Sequence, residues 1–252
     1  MRERGTGREE TGLARRRFFV DEIRQGRAVV TGNEAHHLGR VLRAETGRQY
    51  EISDNESVYL AEIEAIGKDE ISFRVLEEVP ALRPPLELTL FIALMKFDRF
   101  EWALEKATEL GAAKIIPIEA ARCEKGLEQA AKKRLERWRK IVRESSQQSR
   151  RAEVPRISEP VRLDDALAIV GARRYFLDEC GGEPLLAAFG PERAPGDEVL
   201  VAIGPEGGWT EAERELAVSR GWKRVTLGPL ILRAETAVAA AAAVAMNAWL
   251  QD

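Results

Sequence analysis

Apolar and polar residues alternate one by one through the first part of the chain, then give way to longer apolar runs separated by helical periods. FFVD, RAVVTG, YEISDNESVYLAEIEAIG and EISFRVLEEV each alternate, with turn residues between them. A period of two predicts half-buried strands, so residues 17–79 read as a small antiparallel barrel or sandwich. Within it, Glu34–Leu42 (EAHHLGRVL) reads as a short helix. Three prolines in PALRPP, residues 80–85, stop secondary structure and mark a linker. Beyond it, Leu86–Met95 is a continuous apolar run of strand length, and Phe100–Gly111 has the helical spacing Trp102, Ala103, Ala107, Leu110 with a closing glycine. Ile115–Ile118 is the next strand. Gln129–Ser146 reads as one long helix with the stripe Ala131, Leu135, Trp138, Val142. Leu163–Val170 begins another helix and Arg174–Asp178 another strand. Strands alternating with helices predict an α/β domain with a parallel sheet over residues 86–252. Met1–Arg16 has no periodicity and reads as a disordered tail.

The densest signal is Val199–Ala237. The apolar run Val199–Ile203 ends in Gly204-Pro205-Glu206-Gly207-Gly208, and Val225–Leu227 ends in Gly228-Pro229-Leu230-Ile231-Leu232-Arg233. Between them Thr210 and Glu213 have the spacing of a capping box, so a helix starts there. In parallel α/β folds ligands sit beyond the carboxyl ends of the strands, so both loops are expected to face one pocket. Tight turns alone would account for glycines of this kind. A phosphate cradle is the second reading, but the spacing is not G-x-G-x-x-G and no G-K-[ST] follows. Glu206 would also repel a pyrophosphate at a site that wants backbone N–H groups and a helix N-terminus. A phosphate-free ligand with a cationic centre, such as S-adenosylmethionine, fits the carboxylate better.

Charge adds an RNA partner to the candidates. The formal net charge is −3, yet residues 122–156 hold 12 Lys/Arg against 5 Asp/Glu. Clustered cations of this kind support salt-sensitive binding to phosphates, or a solvated helix face. The two cysteines, Cys123 and Cys180, lie far apart, and the two histidines are adjacent at 36 and 37. No metal-ligand spacing results, and reduced thiols suit the cytoplasm. No apolar run reaches membrane length and no signal-peptide core is visible.

IGPEGGWTEAE followed by LGPLILRAETA closely resembles the two C-terminal motifs of the RsmE family of SPOUT-class methyltransferases. The likeness runs from about Arg17 to the C-terminus. It implies a trefoil-knot domain that binds S-adenosylmethionine, a PUA-like RNA-binding barrel before it, a homodimer, and methylation of N3 of a uridine in 16S ribosomal RNA. Carried over motif by motif, it assigns donor contacts to Gly204, Pro205, Glu206, Gly207, Gly208, Leu227, Gly228, Ile231, Leu232, Arg233, Ala234, Glu235, Thr236 and Ala237, and Leu177 joins them as a residue expected at the carboxyl end of its strand, beside the ligand. Arg233, Glu206 and Lys96 are the implied catalytic groups. His36, Arg40, Arg43, Arg122, Lys133, Arg137 and Arg151 are the expected RNA contacts, and no metal is expected. The chain departs from the family pattern at Phe97 for Gly, Cys123 for Ser, Gln147 for Glu, Arg150 for Gly and Leu230 for Arg. Methylation of another RNA site and non-catalytic RNA binding remain as alternatives.

Overall fold

The alternating N-terminal segments become strands because each has one apolar face to bury. They are β1 (Arg17–Phe19), β2 (Arg27–Thr31), β3 (Gln49–Ser53), β4 (Val58–Ile66) and β5 (Glu70–Val79), with the short helix α1 (Gly32–His36) after β2. In β2 burial alternates, Ala28 and Val30 inward and their neighbours outward. The computed structural model describes residues 16–250 apart from 37, 40–43 and 172. Residues 1–15, Arg40 and Arg43, and with them parts of the expected tail and helix, lie outside the described residues. The chain divides into two units, one of residues up to 82 with 150–153, the other of 83–149 with 154–252.

In the first unit the strand order is β1-β3-β4-β5-β2. Three pairings are antiparallel, as the alternation predicts, but β1 runs parallel to β3. The long connection through β2 and α1 permits this, since only antiparallel neighbours need a tight hairpin. Among the described residues the two edge strands do not pair, so the sheet is open where closure into a barrel was an expectation. Phe18, Tyr50 and Phe73 stack edge to face in its core, with centroids 5.5 and 6.3 Å apart.

Residues 150–153 join this unit through polar contacts. Ser53 Oγ donates to the Ala152 carbonyl at 2.6 Å, and Arg17 donates to the Arg150 carbonyl at 2.5 Å. Arg150 has φ of 56°, the left-handed region where the resembling family has glycine. A side chain there costs about 1–2 kcal/mol. Its guanidinium offsets that cost by pairing with the buried Glu51 at 2.6 Å.

The second unit begins with β6 (Glu87–Ala93), α2 (Phe97–Glu109), β7 (Lys114–Glu119), α3 (Leu127–Lys132) and α4 (Leu135–Gln148). It continues through the short strands β8 (Arg156–Ile157) and β9 (Val161–Arg162), then α5 (Leu163–Leu167) and β10 (Arg173–Leu177). Next come β11 (Glu183–Pro184), α6 (Leu185–Ala188), β12 (Glu198–Ile203), α7 (Glu211–Ser219), β13 (Lys223–Thr226) and α8 (Ala234–Trp249). The sheet order is β11-β13-β10-β12-β6-β7-β8, with β9 also beside β7, and every pairing is parallel. Its central strands are apolar on both faces because helices cover both. Leu88, Leu90, Ile92, Val199 and Val201 point to a core shared with α2, α4 and α8. Phe91, Ala93, Leu200 and Ala202 point to the opposite core, under α5 and α7.

The single long basic helix expected over 129–146 is two helices, α3 and α4, joined at Lys133-Arg134. Tertiary contacts favour the break there. Arg134 lies over the Phe97 ring at 4.3 Å and bonds Glu101 at 3.2 Å. In α8, buried Ala237, Ala241, Ala242 and Ala245 let the helix sit close to its neighbours.

Candidate active site

Parallel pairing brings the carboxyl ends of β10, β12 and β13 to one edge of the sheet. The two glycine loops leave β12 and β13 there, with β10 between those strands. Together they enclose a cleft of about 310 Å³.

The first loop is shaped by what its glycines exclude. A Cβ on Gly204 would stand 2.9 Å from the Trp209 indole. That indole is fully buried and donates from Nε1 to the Leu177 carbonyl at 2.8 Å, tying the loop to the end of β10. Gly208 has φ of +68°, and a Cβ there would stand 2.1 Å from Glu179 Oε1. The helix after the loop starts as the sequence predicts: Thr210 and Glu213 form a reciprocal capping box. The other oxygen of Glu213 accepts the Ala121 N–H at 2.7 Å. Arg122 donates to the Gly207 and Trp209 carbonyls at 2.9 and 3.2 Å, so two neighbouring residues brace the loop from outside.

Asp178 and Glu179, which line the cleft, belong to an arginine-carboxylate network. Asp178, at the end of β10, is buried and receives Arg214 Nε at 3.1 Å and Arg224 Nε at 2.8 Å. Arg214 also bonds Glu179 at 2.8 Å and Cys180 Sγ at 3.1 Å. Asp178, Glu179 and Cys180 bring metal-type ligand atoms within 4.8 Å of one another. The Arg214 guanidinium touches all of them and supplies the positive charge such a cluster needs.

Of the expected donor contacts, Leu177, Gly204, Pro205, Glu206, Gly208, Leu227, Gly228, Ile231, Leu232, Arg233, Ala234 and Ala237 line the cleft. Gly207, Glu235 and Thr236 do not. Gly207 turns toward Arg122, and Glu235 turns toward Arg99. Arg233 is exposed at the cleft, N-terminal to α8, with no ion pair among the described residues. Glu206 is paired with Arg99. Lys96 stands at the N-cap position of α2 without a side-chain capping bond and is exposed, outside the lining.

Arg99, Ile203 and Thr226 also line the cleft without having been singled out. Ile203 and Thr226 end β12 and β13, so a rule including the last strand residue would have found them. Arg99 offered one signal: a cation in the first turn of a helix, where the dipole disfavours it.

The expected RNA contacts among the described residues each have their own local surroundings. His36 Nε2 meets Asp69 at 3.0 Å. Arg137 forms a two-pronged pair with Glu101 at 2.6 and 2.7 Å. Lys133 is exposed at the end of α3. Arg151 donates to the Glu153 carbonyl at 3.1 Å, and burial pushes its guanidinium down to about 10.

Comparison with known proteins agrees with this geometry. Residues 82–246 match the model of an RNA methyltransferase domain, and residues 30–76 match an RNA methyltransferase PUA domain. These matches place the chain among RNA methyltransferases. It is 35% identical over 221 residues to ribosomal RNA small subunit methyltransferase E of Bacillus subtilis, covering 82% of this chain and 85% of the relative. The same enzyme of Mycobacterium bovis is 35% identical over 237 residues, covering 89% and 88%. A crystal structure of ribosomal RNA small subunit methyltransferase E from Neisseria gonorrhoeae, bound to S-adenosyl methionine, matches with a TM-score of 0.84 at 30% identity, covering 93% of this chain and 98% of that one. Within the class, the chain belongs to the ribosomal RNA small subunit methyltransferase E family.

Proposed function

We propose that the protein transfers a methyl group from S-adenosylmethionine to N3 of a uridine in the 16S RNA of the small ribosomal subunit. The observation that carries this reading is the cleft itself, built by both motif loops in a chain of this family. Its lining fits the donor. Leu177, Ile203, Leu227 and Leu232 offer apolar cover for an adenosine, and Glu206, paired with Arg99, stands at the cleft wall. When bound, S-adenosylmethionine supplies an electrophilic methyl carbon whose bond to sulfur breaks as the bond to nitrogen forms.

The protein's share of the work is alignment and charge. Holding donor and acceptor in line can lower the barrier by up to ~7–11 kcal/mol. Uracil N3 must give up its proton to solvent or a base, and negative charge then spreads over O2, N3 and O4. Arg233, exposed at the cleft with its charge uncommitted among the described residues, is suited to stabilise that charge. Glu206 is suited to order the loop and face the donor, because Arg99 already engages its carboxylate. Lys96, exposed at the start of α2, is suited to the target's phosphates.

The same reading divides the chain into a PUA-like RNA-binding part over 17–79, a linker at 80–85 and a SPOUT-type catalytic part over 86–252, knotted, dimeric and cytoplasmic. Its supports are the PUA match over 30–76 and the alanine-lined face of α8, which suits close threading of backbone. No described helix is long and apolar enough to cross a membrane.

The test combines calorimetry with S-adenosylmethionine and mass spectrometry of 16S RNA from unmethylated small subunits incubated with donor and enzyme. The expected result is donor binding and one new N3-methyluridine. Arg233→Gln is expected to lower kcat by about 100-fold or more, a far larger loss than any change in donor affinity. Donor binding without any methylated uridine would refute the assignment.

A further inference from the structure

Arg99 is the cleft residue with the least local reason for its position. It lies in the first turn of α2, where the helix dipole opposes a cation. Its partners are remote in sequence. Its guanidinium pairs with Glu206, in the middle of the first loop. Its Nε also stands 4.0 Å from Glu235 Oε1, in the first turn of α8, directly after the second loop. The side chains of Arg99 and Glu206 are 33% and 39% exposed, whereas Glu235 is 13% exposed and one of its oxygens is buried with no hydrogen-bond partner among the described residues. A carboxylate left partly unsatisfied near a second carboxylate depends on the cation between them.

We propose that Arg99 is a positioning residue that straps the two donor-binding loops together, fixing the width of the cleft by holding Glu206 and reaching Glu235. The inference rests on the donor reading given above and deepens it. Helix α2 contributes a tie between loops that β12 and β13 deliver separately, with β10 between them. Without the guanidinium, Glu206 and Glu235 would repel each other and the loops would move apart. The strap also removes Glu206 from service as a free proton acceptor.

The experiment compares wild type with Arg99→Gln, Arg99→Lys, Arg99→Glu, Glu206→Arg and the double charge swap. The first readout is hydrogen exchange of residues 204–208 and 228–233 without donor, and the second is S-adenosylmethionine affinity by calorimetry. Arg99→Gln is expected to speed exchange in both loops and weaken donor binding by about tenfold. Arg99→Lys is expected to recover most of both, and the double swap to bind better than either reversal alone. Unchanged exchange in both loops, or faster exchange in only one, would overturn the strap. If Arg99→Gln fails to fold, the lysine variant and the swap decide by the same criteria. A wild-type protein that binds no donor would sink the donor assignment, while the exchange data would still judge the strap.

Discussion

Gly208 is where one added carbon would be felt most directly. Its φ is +68°, and the space a Cβ would take is filled by the Glu179 carboxylate at 2.1 Å. Gly208→Ala must strain the backbone and push Glu179 off Arg214, whose bond to it is 2.8 Å. The expected cost is about 1–3 kcal/mol of stability, read by chemical denaturation, together with weaker donor binding. The glycines were visible in the sequence, but their reasons were not: Trp209 folds back on Gly204 within the loop, and Arg122 and Glu179 press on Gly207 and Gly208 from elsewhere in the chain. Arg122 shows the same limit. Its position in a basic segment suggests RNA, and the structure adds a second role, since its Nη1 donates to two loop carbonyls. Leu230, where the family pattern has arginine, sits on the rim of the cleft and is 79% exposed.

Secondary structure was legible wherever periodicity and end signals agreed. The capping box at Thr210 opens α7, and the apolar runs at 199–203 and 225–227 lead into the loops. Helix α4 was legible by its stripe, for Leu135, Trp138 and Val142 are buried. Its separation from α3 was not; at the junction Arg134 meets Phe97 and Glu101 of α2, which lie far back in the chain. Glu101 holds Arg137 and Arg134, and the Arg137 hydrogen bond keeps its carboxyl below the usual carboxylate range against the opposing effect of burial. A carboxyl with a depressed folded-state value stabilises the protein above its unfolded value and loses that contribution as pH falls through the folded one. Glu101→Gln is therefore expected to cost about 1 kcal/mol at neutral pH. Paired denaturation curves should converge as acid titrates Glu101, and a gap that persists at low pH would remove the ion pair as its source.

At the scale of the molecule, the basic segment is less available than its composition suggests. Arg134 and Arg137 are on Glu101, Arg139 on Glu136, Lys140 near Glu144, Lys132 near Glu128 and Arg150 on Glu51. RNA binding should therefore depend on salt less steeply than 12 cations would imply. A slope of log affinity against log salt near −3 is expected, roughly four phosphates' worth, and Lys133→Gln should reduce its magnitude by about 1. A slope several times larger in a salt titration would mean that these pairs open on binding.

The sequence by itself determined the longer strands, the α/β alternation after the proline-rich segment, the helix start at Thr210 and the two loops that build the cleft, but not the short β8, β9, β11 and α6 or the split between α3 and α4. Those features follow from local rules: backbone periodicity, end capping and the special freedom of glycine. Tertiary structure alone decided that β10 runs between the strands feeding the loops, that Arg99 reaches two carboxylates, and which basic side chains keep an uncommitted charge. Charge pairing and close approach depend on distance in space. Arg99 and Glu206 are 107 residues apart in the chain, and no pattern of neighbours along the sequence encodes their meeting.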